Sequence, residues 1–114
     1  MKIESISVSG TFTTGHAAMI RVLHQTERQS IGEATLEPDQ ATRRHFHRVT
    51  EEIYFIVKGA GEMEVDGEKA RVKPGDAILI PVESWHQLYN DGTSELRFLC
   101  SCVPPYDPAD AHFE

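Results

Sequence analysis

Closely spaced turns constrain the fold of this chain more than any other feature. Short runs rich in β-branched and aromatic residues end at turn signals such as Pro38-Asp39, Asp66-Gly67 and Pro74-Gly75. No stretch has the periodicity of an amphipathic helix. Many short strands separated by glycine and proline turns predict an all-β sandwich or barrel. The predicted strands are residues 3–8, 18–24, 30–36, the histidine strand that holds His45 and His47, 52–58, 62–65, 68–72, 77–80, 86–89 and 95–103. They are followed by a polar tail, 106–114, that we expect to pack irregularly.

Composition limits the kind of protein this is. The chain has 114 residues, which fits one domain spanning residues 1–114. With 39% hydrophobic residues, no apolar run of membrane-spanning length and no signal-peptide core, we expect a soluble cytoplasmic protein that does not bind membranes. The net charge of −7 argues against nucleic acid as a partner.

Two histidines form the strongest chemical signal. In an extended segment, His45 and His47 project from the same side, so both imidazoles can bind one metal ion. A carboxylate beyond the next turn and a third imidazole, His86, could complete the coordination sphere with iron, manganese, nickel, copper or zinc. The alternative is a polar pocket without metal, in which each buried imidazole needs its own hydrogen-bond partner.

The histidine segment resembles the first motif of the cupin family, G-x5-H-x-H-x(3,4)-E-x6-G. His45, His47, Glu52 and Gly59 match it, whereas Asp39 stands where the leading glycine is expected. The spacing from His47 alone admits either Glu51 or Glu52 as the carboxylate. The spacing to Gly59 selects Glu52, and so does the family, which places its ligand immediately before the apolar strand.

The second cupin motif, G-x5-P-x-G-x2-H-x3-N, resembles residues 75–90. Gly75, Pro81, His86 and Asn90 match, and Glu83 replaces the inner glycine. The resemblance covers residues 30–105 and puts N-terminal strands at 1–29.

Membership of the cupin family would imply a double-stranded β-helix, or jelly roll, around one divalent transition metal held by His45, His47, Glu52 and His86. Iron or manganese would suit a dioxygenase-like small-molecule enzyme. The alternatives are a sugar or keto-acid isomerase, in which the metal is a Lewis acid, and a non-catalytic ligand-binding protein. No residue stands out as a catalytic acid or base. The resemblance, together with strands that are apolar on both faces, also predicts a homodimer.

Several residues beside the motifs are candidates for contact with a small-molecule ligand. Tyr54 shares the parity of Glu52, and Trp85 precedes His86, so both are candidate substrate-binding residues, with core packing as the alternative. Arg43, Arg44 and Arg48 could bind an anion at a pocket rim, or they could form a solvated surface.

The two cysteines, Cys100 and Cys102, are too few for a disulfide framework. We expect them to be reduced, small core residues on one face of a strand.

Overall fold

The computed structural model describes residues 1–6, 12–13 and 19–114, the side chains of 12–13 excepted. Within these residues there is no α-helix, and so no helix long and apolar enough to cross a membrane. The elements are β1 (Phe12–Thr13), β2 (Met19–Gln25), β3 (Ser30–Leu36), β4 (His45–His47), β5 (Glu51–Lys58), β6 (Gly61–Val65), β7 (Glu68–Val72), β8 (Ala77–Ile80), β9 (His86–Tyr89), β10 (Leu96–Val103), a 3-10 helix (Pro108–Asp110) and β11 (Ala111–Phe113).

The strands form two antiparallel sheets. The six-stranded sheet has the order β1-β2-β3-β10-β5-β8, and the five-stranded sheet has the order β11-β4-β9-β6-β7. Most sheet neighbours are distant in sequence, as when β10 lies between β3 and β5. The predicted all-β architecture is therefore confirmed.

Strict alternation along β5 shows how the sequence divides the inside from the outside. Glu52, Tyr54 and Ile56 are buried, while the intervening Ile53 and Phe55 are exposed. Both sheets contribute to the core between them, and burying each large apolar side chain there contributes about 1.5–3 kcal/mol. The core cluster comprises Ala34, Leu36, Tyr54, Ile56, Met63, Val72, Ile80, Leu88, Leu96 and Phe98.

The backbone keeps the geometry of the cupin-like turns even where the glycines are replaced. Asp39 and Glu83 stand at the two missing glycine positions, and both adopt the left-handed conformation, with φ of 67° and 63°. Such a φ costs a non-glycine residue roughly 1–2 kcal/mol. Each turn is anchored, since Asp39 N–H donates to Asn90 O at 2.9 Å and Glu83 N–H donates to His47 O at 2.6 Å. Each of these bonds connects one motif directly to the other.

The two chain ends differ from the expectation. Residues 3–6 of the predicted first strand are not in a strand, and residues 7 and 8 lie outside the described part. The tail 106–114 is not irregular, because it forms the 3-10 helix and β11, which pairs antiparallel with β4. The helix begins where Asp107 Oδ1 accepts the Ala109 N–H at 2.9 Å, with Pro108 in the first turn. The strand is too short for its periodicity to be recognised in the sequence.

Candidate metal centre

Three strands bring the four predicted ligands together. His45 and His47 lie on β4, Glu52 near the start of β5, and His86 on β9, where it pairs with His45. All four are buried, and one candidate ligand atom from each lies within 4.8 Å of the other three. We call these four residues the candidate metal centre.

The imidazoles of His45 and His86 are oriented by backbone carbonyls of the preceding residues. Nδ1 of His45 lies 2.6 Å from Arg43 O, and Nδ1 of His86 lies 2.9 Å from Ser84 O. A carbonyl oxygen can only accept, so each Nδ1 carries the proton and each Nε2 carries the lone pair. That tautomer is the one in which Nε2 binds metal.

The carboxylate of Glu52 divides its two oxygens between different partners. Oε2 accepts from the Cys102 thiol at 3.3 Å, whereas Oε1 faces His86 Nε2 at 3.3 Å and His47 Nε2 at 3.6 Å. Neighbouring Glu51 is exposed and pairs with Val103 at the edge of the fold. The structure therefore brings Glu52, and not Glu51, to the histidines.

The donor set fits a divalent transition metal. Glu52 Oε1 and His86 Nε2 are buried, and neither has a hydrogen-bond partner. Leaving such groups unsatisfied costs roughly 1–3 kcal/mol each, or more for a charged group. A single cation beside both atoms would satisfy them, and imidazole with carboxylate suits iron, manganese or zinc. The alternative of a metal-free polar pocket would require partners that these two atoms lack.

Burial and the charge of Glu52 set the electrostatics of the site. Burial lowers the pKa of His47, against the opposing effect of Glu52, and so favours the neutral imidazole that binds metal. Burial, reinforced by Glu52, raises the pKa of the Cys102 thiol and of the Tyr54 phenol. Both groups are therefore neutral at physiological pH.

A carboxylate from the C-terminal segment holds the loop between His47 and Glu52. Asp110 Oδ1 accepts the Arg48 N–H at 3.0 Å, and Oδ2 accepts the N–H groups of Val49 and Thr50 at 3.1 Å each. Burial raises the pKa of Asp110, but these three hydrogen bonds outweigh it and hold the pKa below its ordinary value. The loop between His47 and Glu52 is thus held in place by Asp110, which lies about 60 positions later in the chain.

A cavity lies between the sheets beside the candidate metal centre. The empty space around it, including the part open to solvent, is about 620 Å³. Its walls are mainly apolar, with Phe98 and Ala34 among them, and Tyr54, Cys100 and Tyr106 add neutral polar groups. The predicted position of Tyr54 in the cavity agrees with this geometry.

Trp85 lies elsewhere. Its ring packs against Phe46 at 4.7 Å between centroids, on the outer face of β4, and Trp85 is not among the residues that line the cavity. Adjacent strand residues point to opposite faces, so the inward direction of His86 turns Trp85 outward. The structure therefore does not support Trp85 as a substrate-binding residue.

The three arginines that flank the histidines stack on aromatic rings, of which Phe113 pairs with His45 and has its ring centroid 5.6 Å from that of His45. The guanidinium groups of Arg43, Arg44 and Arg48 stand over the rings of Phe113, Trp85 and Phe46 at 4.3, 5.2 and 5.8 Å. Arg43 and Arg48 are exposed. Arg44 is half-buried and forms ion pairs with Glu64 and Glu114. None of the three lines the cavity, so the solvated-surface interpretation holds for Arg43 and Arg48.

Sequence reasoning missed four residues around the site, namely Cys100, Cys102, Tyr106 and Asp110. Both cysteines are free, as predicted, and share one face of β10, but their proximity to Glu52 depends on the register that pairs Cys102 with Glu52. Alternation along 95–103 indicates a shared face but not which strand lies alongside.

Comparison with known proteins decides the family. The sequence profile of the Cupin domain matches residues 32–102, more than half of the chain. This protein belongs to the cupin family. Its two sheets form the double-stranded β-helix that the resemblance implied.

Relatives extend the comparison. A protein of Methanocaldococcus jannaschii is 40% identical over 88 residues, which cover 77% of this chain and 70% of the relative. A 5-aminosalicylate 1,2-dioxygenase of Comamonas sp. is 30% identical over 69 residues, which cover 60% of this chain but only 18% of that enzyme. The solved structure of the polyketide cyclase RemF from Streptomyces resistomycificus shares the fold, with a TM-score of 0.85 at 21% identity, over 99% of this chain and 84% of that one.

Proposed function

We propose that this cupin is a metal-dependent small-molecule enzyme of dioxygenase-like type, with one iron or manganese ion held by His45, His47, Glu52 and His86. The observation that carries the proposal is the convergence of four buried residues, three of whose side-chain atoms, Glu52 Oε1, His86 Nε2 and His47 Nδ1, have no hydrogen-bond partner. Similarity to an aminosalicylate dioxygenase over 60% of the chain supports the reaction type.

The residues around the site suit this chemistry. When bound, a redox-active ion with open coordination positions supplies activation of substrate and dioxygen. Glu52 contributes one negative charge, and the neutral imidazoles contribute lone pairs. The apolar walls of the cavity limit water around the reacting groups and so strengthen electrostatic interactions there.

Oxygen uptake tests the proposal. Apo-protein reconstituted with Fe(II) or Mn(II) should consume dioxygen with some member of a panel of hydroxylated aromatic compounds. The zinc-loaded protein and the variant H45A/H47A should not. Turnover with zinc in the absence of oxygen would instead assign a redox-neutral reaction such as isomerisation or cyclisation. Tight binding without turnover under any metal would assign a ligand-binding protein.

We also propose that the protein is a homodimer. The outer face of β5 and β8 exposes Ile53 (42%), Phe55 (42%), Val57 (45%) and Leu79 (55%), a contiguous apolar surface that a second copy could cover. Size exclusion with light scattering should show a dimer at micromolar concentration, and Phe55→Glu should shift it to a monomer. A monomeric wild-type protein would refute this proposal.

A further inference from the structure

The cavity beside the candidate metal centre has no permanent cationic side chain. Among the described residues that line it, there is no lysine or arginine, and Glu52 is the one carboxylate. The undescribed segments, 7–11 and 14–18, contain neither lysine nor arginine, and their only basic residue is His16.

None of the nearby arginines lines the cavity. Ile20 and Val22 of β2 line the cavity, so Arg21 between them is directed to the opposite face of the strand. Arg44 and Arg48 stack on aromatic rings of the outer face, whereas exposed Arg43 stacks on Phe113, beside His45. A ligand in the cavity therefore meets no guanidinium or ammonium group from the described residues.

The charges of the metal and of Glu52 limit how many anionic groups a ligand in the cavity can carry. One divalent metal and the Glu52 carboxylate leave a net charge of +1, which a single anionic donor group of the ligand neutralises. A second carboxylate or phosphate would have to lose its hydration among apolar walls without a counter-charge, which disfavours its binding.

We infer that the cavity takes small molecules with one anionic, metal-binding oxygen group and an otherwise uncharged, largely apolar body, and that it discriminates against ligands with a second carboxylate or phosphate. The inference rests on the proposed metal centre and deepens it by naming a substrate class.

A matched pair of probes tests this inference. Methyl 3,4-dihydroxybenzoate and 3,4-dihydroxybenzoate have the same metal-binding oxygens, but only the acid carries a second anionic group. Calorimetric titration of the zinc-loaded protein, with the metal content measured first, gives the affinity for each without turnover. We expect the ester to bind at least tenfold more tightly than the acid, although it is the larger probe.

A variant should reverse part of this preference. Gln25 lies at the cavity wall, where its side-chain Nε2 donates to Tyr106 O at 3.3 Å, and its side chain is exposed. Gln25→Lys places an ammonium group there. The variant should therefore bind the acid at least about threefold more tightly than the wild type does, the order of a partly exposed ion pair. Affinity for the ester should not change. Gln29→Lys, an exposed position outside the cavity, adds the same charge and should leave both affinities unchanged.

Each outcome separates this inference from the function on which it rests. A protein that retains no zinc contradicts the metal centre itself. A protein with one zinc per chain that binds the acid as tightly as the ester, or that binds neither, overturns the inference and leaves the metal centre standing. Equal gains for the acid with Gln25→Lys and Gln29→Lys would also overturn it, because the effect would then be one of net charge.

Discussion

The four residues of the candidate metal centre are supported in two different ways. His45 and His86 are each oriented by a carbonyl two residues earlier in the chain. Glu52 is held by Cys102, 50 residues later, and the loop that connects it to His47 is held by Asp110, about 60 residues later. The local pair, His45 and His86, is thus oriented by nearby backbone. The distant pair, His47 and Glu52, depends on completion of the fold by β10 and the C-terminal segment. We therefore expect the distant pair to be more sensitive to distant substitutions.

The largest effect should follow from removing one member of each pair. His45→Ala together with His47→Ala removes two of the four metal-binding side chains, the two that lie on β4. We expect elemental analysis of this variant, purified without chelator, to find no retained metal. His112→Ala is the matched control, because His112 stacks on Phe46 on the outer face of β4. Full metal content in the double variant would contradict the assignment of the ligands.

Glu52 and Glu51 test the register of β5. Glu52→Gln keeps the shape of the side chain but removes the charge, so metal binding should weaken at least tenfold, the order found when even a supporting partner is lost. Glu51→Gln should bind metal nearly as well as the wild type, because Glu51 is exposed. Titration of both apo-proteins with manganese measures the difference, and an equal or larger loss for Glu51→Gln would place the ligand one residue earlier.

Asp110 tests whether the distant support matters. Asp110→Ala removes three hydrogen bonds to the loop 48–50, and we expect metal affinity to fall about tenfold. Asp107→Ala removes only the cap of the 3-10 helix and should cost less than twofold. If Asp110→Ala does not fold, Asp110→Asn, which keeps one acceptor oxygen, should show a smaller loss of the same kind. Unchanged affinity in folded Asp110 variants would mean that the loop holds its geometry alone.

The protonation of Asp110 gives the same test a pH dependence. Its folded-state pKa is depressed, so its contribution to stability is fully present above the ordinary carboxyl pKa, about 4, and is lost as the pH falls through the lower folded value. Thermal unfolding of the apo-protein should therefore lose less stability between pH 5 and pH 3 in Asp110→Ala than in the wild type. Parallel pH profiles would contradict this role.

The smallest effect concerns the thiol that bonds to Glu52. Cys102→Ala removes one hydrogen bond to Oε2, and about threefold weaker metal binding is expected from its modest net strength. Cys102→Ser keeps a donor and should stay closer to the wild type. Calorimetric titration with manganese compares them, and a larger loss for serine than for alanine would show that packing, and not the hydrogen bond, is what Cys102 provides.

The local pair and the distant pair also differ in how far the sequence predicts them. Short-range patterns in the sequence point to three of the four residues: His45 and His47 are two apart, and Glu52 has the expected spacing to Gly59. The structure brings His45, His47 and Glu52 together as expected. Trp85 was misplaced although the same alternation rule, applied to His86, would have directed it outward. Cys102 could not be assigned to Glu52, because the pairing of β10 with β5 is set by the whole sheet.

The C-terminal segment shows the same limit. Nothing in the run from Tyr106 to Glu114 indicates that its strand will pair with β4. Three residues carry too little periodicity to reveal a partner 64 positions away, which is the separation of Ala111 from His47. Conversely, Asp39 and Glu83 show that a left-handed turn can persist without its glycine when backbone hydrogen bonds anchor it. Motif departures at these two positions therefore did not signal a different fold.

Anomalous X-ray diffraction at the zinc edge, from crystals of zinc-loaded protein, locates the metal itself. We expect one strong peak per chain, about 2.0–2.2 Å from Glu52 Oε1 and from a ring nitrogen of each of His45, His47 and His86. Crystals of the same protein that hold stoichiometric zinc at another position, with no peak among these four side chains, would contradict this expectation.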